Sequence, residues 1–345
     1  MDVEKMTAWI KKPSVKYGLV MIECGVPQIT EDQVLLKVLA TGICGTDLSI
    51  YKGYRKVPDD LIPGHEFIGE IIKVGKNVTG YAVGERVIPS IIHRCGKCRA
   101  CINGYEAQCE NLEEVGIHID GSFAEYAAVP AATLHKVRSD MDITVGASVE
   151  PVAVAYSAVK KAEQFIPGKD VIIYGPGPIG LYITQLVKLA GAGKIVLIGT
   201  KNPRLQLARI QYGVEIININ QDDVDEKLKE YFPKGRGKAD IIFEATGVAD
   251  SIGEMVSRLS AHGELVLTGI FKEPSQIDLL QMIRGELTIR SSFCYTLSEF
   301  EYAIKLVEEN RILFDGIVEN MPLENLDVGF ERQLSREAIK VVVIP

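Results

Sequence analysis

The chain has 345 residues, a formal net charge of −8, 47% hydrophobic and 24% charged residues. That length exceeds one ordinary core and predicts two domains, while the acidic balance argues against a nucleic-acid partner, whose phosphates need a concentrated positive face. No run approaches the ~20 apolar residues that cross a bilayer, so no membrane partner is expected.

In chain order, residues 1–13 mix Asp2, Glu4, Lys5, Lys11 and Lys12 with apolar positions and lead into no uninterrupted apolar stretch. No secretory signal is expected there, and the cytoplasm is the expected location. From about 34 to 137, short β-rich runs (34–40, 67–74, 85–88 and 123–129) alternate with Gly, Pro and Asp turns. This texture predicts a partly barrel-like all-β domain. It contains Cys44-Gly45-Thr46-Asp47 and Gly64-His65-Glu66, with Glu150 further on. A catalytic metal needs a few soft or borderline ligands and one open position. Spacing alone fits such a site, but it also fits a core cysteine and a hydrogen-bonded His-Glu pair.

Four of the seven cysteines, Cys95, Cys98, Cys101 and Cys109, fall within fifteen positions. In a chain of this length such clustering indicates metal binding before disulfides. Four thiolates fill a tetrahedral Zn2+ shell and leave no place for substrate, so this metal is expected to be structural.

A helical stretch at 146–162 is followed by strands at 171–175, 195–199, 216–220, 240–245, 264–268 and 286–291, with amphipathic segments at 179–190 and 203–212. Buried strands alternating with helices predict a doubly wound parallel sheet. The first strand runs into Gly175-Pro176-Gly177-Pro178-Ile179-Gly180. In this G-x-G-x-x-G, Gly175 permits the tight turn, Gly177 lets the backbone approach a pyrophosphate and Gly180 lets helix pack on strand. Pro178 and Ile179 open a helix whose unpaired N–H groups face the phosphates. The second strand ends on Gly199, without the carboxylate that usually holds the adenosine ribose of NAD. Gly199, Thr200, Lys201 and Arg204 offer instead a small residue, a hydroxyl and two cations for a 2′-phosphate, which inclines the reading to NADP. Lys201 and Arg204 also fit as solvated residues of a helix start. A helix at 297–309 and a strand at 340–344 close the chain.

Gly64-His65-Glu66-x2-Gly69-x5-Gly75-x2-Val78 resembles the signature of zinc-containing medium-chain alcohol dehydrogenases. Cys44-Gly-Thr-Asp, the cysteine lobe and the nucleotide motif follow in that family's order. Glu150-Pro151 is similar to the sorbitol and threonine dehydrogenase branch. The resemblance implies a GroES-like β-rich catalytic domain over 1–152 and 293–345, and a Rossmann cofactor domain over 153–292. It implies two zinc ions per chain, one structural and one catalytic. The catalytic ion would be held by Cys44, His65 and either Glu66 or Glu150, with Asp47 orienting His65 and Thr46 receiving the alcohol proton. Thr246 and Gly247, in Phe243-Glu244-Ala-Thr246-Gly247, would neighbour the cofactor.

The implied reaction is reversible hydride transfer between NAD(P) and a small polyol or secondary alcohol. Alternatives are an amino alcohol such as threonine, a cyclitol, a sugar-alcohol phosphate, or an inactive nucleotide-binding relative. Ser49 stands where many relatives carry a relay histidine, which weakens the threonine alternative. Phe293-Cys294-Tyr295 replaces the Phe-Arg-Tyr of sorbitol dehydrogenases, which puts glucitol in doubt. Arg55, Lys56 and Arg94 are the candidate phosphate partners. A homo-oligomer, tetramer or dimer, is implied.

Overall fold

The computed structural model describes residues 4–164 and 166–345. The first three residues of the expected metal-binding domain, and Phe165 of the expected cofactor domain, lie outside the described residues. The chain divides into two compact units: the described residues up to Glu150 together with Thr296–Pro345, and Pro151–Tyr295. No helix among the described residues is long and apolar enough to cross a membrane.

The first unit is built on a seven-stranded sheet whose long strand, Gln33–Gly42, pairs antiparallel with Glu66–Val74, Tyr126–Pro130 and Lys340–Ile344. Its inward side chains, among them Val34, Leu36, Val38, Phe67 and Ile71, are buried in one cluster. The closing strand thus pairs with the opening of the fold: Val342 lies opposite Gly42, and Gly42 lies opposite Glu66. The strand expected at 123–129 begins instead at Tyr126. The preceding backbone is diverted, since Ser122 and Phe123 donate their N–H groups to Gly64 O and Pro63 O at 3.0 and 2.9 Å. These bonds clamp the loop that carries His65. A hairpin of Lys5–Ile10 and Val20–Gly25 and a helix at Gly45–Tyr51 were not expected from periodicity.

The second unit is a six-stranded, all-parallel sheet. Counted in chain order within the sheet, the strands lie 3-2-1-4-5-6: Glu215–Asn218, Ile195–Gly199, Val171–Tyr174, Ala239–Glu244, Leu259–Leu267 and Thr288–Ser291. Strands 1 and 2 are buried throughout, as a sheet covered on both faces requires. The order reverses between strands 1 and 4, which is where such sheets bind ligands at their carboxyl ends. Strand 5 starts earlier than the expected 264, because Leu259 already pairs with Ala239 before a register shift brings Glu264 opposite Ile241.

Beneath His65 the chain packs backbone to backbone. Gly64 has φ +97°, and a Cβ on Gly121 would lie 1.9 Å from Gly64 O. We expect Gly121→Ala to overpack this crossing and lower stability by about 1–3 kcal/mol, read as a fall in Tm.

Candidate metal and nucleotide sites

Cys44 caps the N-terminal end of helix Gly45–Tyr51 in an extended conformation, and its N–H donates to Asp47 Oδ2 at 2.8 Å. Asp47 and His65 are both buried. Asp47 Oδ1 lies 3.6 Å from His65 Nδ1, beyond hydrogen-bond length, and neither atom has a hydrogen-bond partner. Ligand atoms of Cys44, His65 and Glu66 lie within 4.8 Å of one another. Burial pushes the Cys44 thiol up to about 11, and the charges of Asp47 and Glu150 add to it. Sulfur, imidazole and carboxylate gathered out of water, with a carboxylate behind the imidazole, fit a divalent ion. Such an ion holds a coordinating thiol deprotonated.

Glu150 is buried and close enough for its charge to act on Cys44, but it stands outside the group of three. Thr46 is half-buried in the first turn of the helix. Ser49 gives its hydroxyl to Gly45 O at 3.3 Å, so it is engaged with the helix backbone.

Lys340 was missed. The residue opens the closing strand, and the sequence shows it only as one cation before an apolar run. It is 1% exposed; its ammonium contacts Glu66 Oε2 and donates to Ile43 O at 2.9 Å. The two side chains meet across Gly42, where a Cβ would stand 2.6 Å from Glu66 Oε2. One oxygen of Glu66 is therefore committed to a cation from the same chain.

The four clustered cysteines come together, three buried and Cys95 half-buried. Sulfur separations are 3.4 Å for Cys98–Cys101, 3.9 Å for Cys98–Cys109 and 4.0 Å for Cys95–Cys101. A tetrahedron with ~2.3 Å Zn–S bonds has edges of about 3.8 Å, so the cage has the size of a zinc shell. Backbone N–H groups of Lys97 and Cys98 lower Cys95 to about 6. Burial, with Cys98 and Cys109 beside it, pushes Cys101 up to about 12. Backbone N–H groups of Cys101 and Glu110 lower Cys98 as well, so two of the four sulfurs are biased toward the thiolate that a metal ion binds.

In the second unit Gly175 has φ +104°, and its Cβ would meet Ala245 O and Thr246 Cγ2, each at 2.9 Å. The loops after strands 1 and 4 therefore touch at the switch point. Gly177 caps helix Pro178–Leu189, with Pro178 at its start and Ile179 half-buried. A Cβ on Gly180 would lie 1.8 Å from Gly175 O. Gly199 is buried, Thr200 and Arg204 are half-buried, and Lys201 is exposed at the cap of helix Asn202–Tyr212. Thr246 is exposed and Gly247 half-buried. Glu244 organises this rim. Its carboxylate accepts from the Thr246 N–H and hydroxyl, from Gly247 N at 2.8 Å and from Gly269 N at 3.2 Å.

Residues 30–139 match the alcohol dehydrogenase GroES-like domain, and 178–309 match the zinc-binding dehydrogenase domain. The chain is 32% identical to D-arabinitol dehydrogenase 1 of Uromyces fabae, covering 94% of this chain and 93% of that one. It is also 32% identical to an L-threonine 3-dehydrogenase of Protochlamydia amoebophila, covering 98% and 99%. A crystal structure of a zinc-binding dehydrogenase from Sinorhizobium meliloti bound to NADP superposes with TM-score 0.90 at 29% identity, covering 99% of each chain.

Removing Glu244 takes the side-chain acceptor from the part-buried N–H groups of Thr246, Gly247 and Gly269, which water can only partly replace. We expect Glu244→Ala to lower Tm and weaken cofactor binding, with Glu244→Gln intermediate; denaturation curves and cofactor titration check both.

Proposed function

Since the chain belongs to the zinc-containing medium-chain alcohol dehydrogenase family, we propose that Cys44, His65 and a glutamate hold its catalytic zinc, and that Cys95, Cys98, Cys101 and Cys109 hold a structural one, two ions per chain. The protein is an NAD(P)-linked, zinc-dependent enzyme that interconverts an alcohol and a ketone. The reading of the site is carried by one observation: the ligand atoms of Cys44, His65 and Glu66 converge, and Asp47 stands behind the imidazole.

When bound, the zinc ion supplies Lewis-acid polarisation of the alcohol oxygen and the nicotinamide supplies a hydride acceptor. The chain's residues do the rest. Asp47 fixes the orientation of His65. Thr46 takes the alcohol proton on its hydroxyl and passes it on. Glu66 is the favoured third ligand: it shares the cluster, and Lys340 engages one of its two oxygens. Glu150 is the nearby carboxylate that exchanges with it.

The substrate class we favour is a polyol or secondary alcohol. For a sugar-alcohol phosphate, two of the three candidate cations are already engaged, Arg55 with Glu114 at 2.9 Å and Arg94 with Glu106 at 3.3 Å, which leaves Lys56. For threonine, no imidazole stands at Ser49. Gly199, Thr200, Lys201 and Arg204 favour NADP over NAD. A reducing compartment, the cytoplasm, suits a cage of four free thiols.

The homo-oligomer we propose forms through the second unit. Edge strand Thr288–Ser291 has one neighbour, and in the adjoining helix Leu279–Gly285, Leu279 and Ile283 are 71% and 73% exposed. A second copy covers this face by isologous contact.

We expect Cys44→Ser to lower turnover by several orders of magnitude, to lose one of two zinc ions and to bind cofactor as before. Unchanged activity in that variant would reject the metal assignment, and a single zinc in the unmodified protein, lost with Cys98→Ser, would favour an inactive nucleotide-binding relative. For the assembly, we expect Ile283→Asp to yield a smaller species by sedimentation.

A further inference from the structure

The nucleotide loop carries a steric relation between two residues distant in sequence. Pro176 is buried between Gly175 and Gly177, and Gly199 is buried at the end of strand 2. A Cβ built on Gly199 would lie 2.4 Å from Pro176 Cδ and 2.5 Å from Pro176 Cγ. Carbon atoms pack at ~3.5–4.0 Å, so the ring and a side chain at 199 cannot share this volume. The obstacle is no flexible tip. A proline ring closes on its own backbone nitrogen with φ fixed, and the backbone here is pinned. Gly175 donates to Ile198 O at 2.9 Å, and the helix presses Gly180 onto Gly175 O. Gly177 differs: a Cβ there meets nothing within 4 Å. At 177 the missing side chain leaves open space, whereas at 199 the space is filled by the ring.

We propose that Pro176 and Gly199 act together as one specificity element. The ring occupies the volume that any side chain at the end of strand 2 needs. No carboxylate can stand there to hold the adenosine ribose hydroxyls, and the 2′ side of the ribose is left to Thr200, Lys201 and Arg204. Cofactor preference in this chain consequently cannot be reversed at position 199 alone. The inference rests on the cofactor site proposed above.

The test is calorimetric titration of the zinc-loaded full chain with NADP+ and with NAD+, accompanied by Tm, for P176A, G199A, G199D, P176A/G199A and P176A/G199D. G199A is expected to weaken both cofactors by about tenfold or more. P176A/G199A is expected to return both to within about threefold of P176A, a non-additivity that only contacting residues show. G199D alone binds neither cofactor well, and P176A/G199D prefers NAD+. If G199A is insoluble, a folded, cofactor-binding P176A/G199A is the same rescue. Wild-type affinity in G199A, or no rescue by P176A, overturns the pairing. A wild-type protein that prefers NAD+ overturns the 2′-phosphate reading instead, and the alanine variants still judge the pairing by themselves.

Discussion

A buried ion pair ties the strand Lys340–Ile344 to the cluster of Cys44, His65 and Glu66. Lys340 and Glu66 sit on the two strands flanking Gly42, and both are about 2% exposed. Taking two charges out of water is costly unless the geometry is good and the remaining donors are used. Here Lys340 also reaches Ile43 O, and Gly42 makes the approach possible by having no side chain to interpose. Of the residues that converge next to this pair, His65 immediately precedes the Glu66 strand and Cys44 follows the central strand by two residues. The geometry of the cluster is thus inherited from the register of the sheet.

The two units build their sites by opposite means. In the first, side chains from separate segments converge: a capping cysteine, a loop histidine and a strand glutamate. In the second, the site is made by the absence of side chains. Gly175 and Gly180 let a loop, a helix and the strand 4 loop close on one another, Gly177 leaves open space, and Glu244 holds the rim with its hydrogen bonds.

What could be read from sequence follows this division. The cysteine lobe and the glycine loop are contiguous, so local spacing of residue types alone pointed to them. The Cys44/His65 cluster is dispersed, and spacing left it open until the family resemblance was considered. Lys340 and the contact of Pro176 with Gly199 had no local signal at all. Each depends on which strands lie side by side, which periodicity does not encode. The strand start at 126 was missed for a similar reason. Residues 123–125 alternate like a strand, yet the loop before His65 takes the backbone bonds of Ser122 and Phe123.

The closing strand also sets an order of events during synthesis. Glu66 waits 274 residues for Lys340, and Trp9 waits 314 for the carbonyl of Leu323. The unit Pro151–Tyr295 is contiguous and has all its strands as soon as Tyr295 leaves the ribosome. The sheet that carries Cys44 and His65 stays without its Lys340–Ile344 strand until nearly the whole chain is made. Domains ordinarily mature in the order in which they are translated. In this topology the unit that begins first is the one completed last.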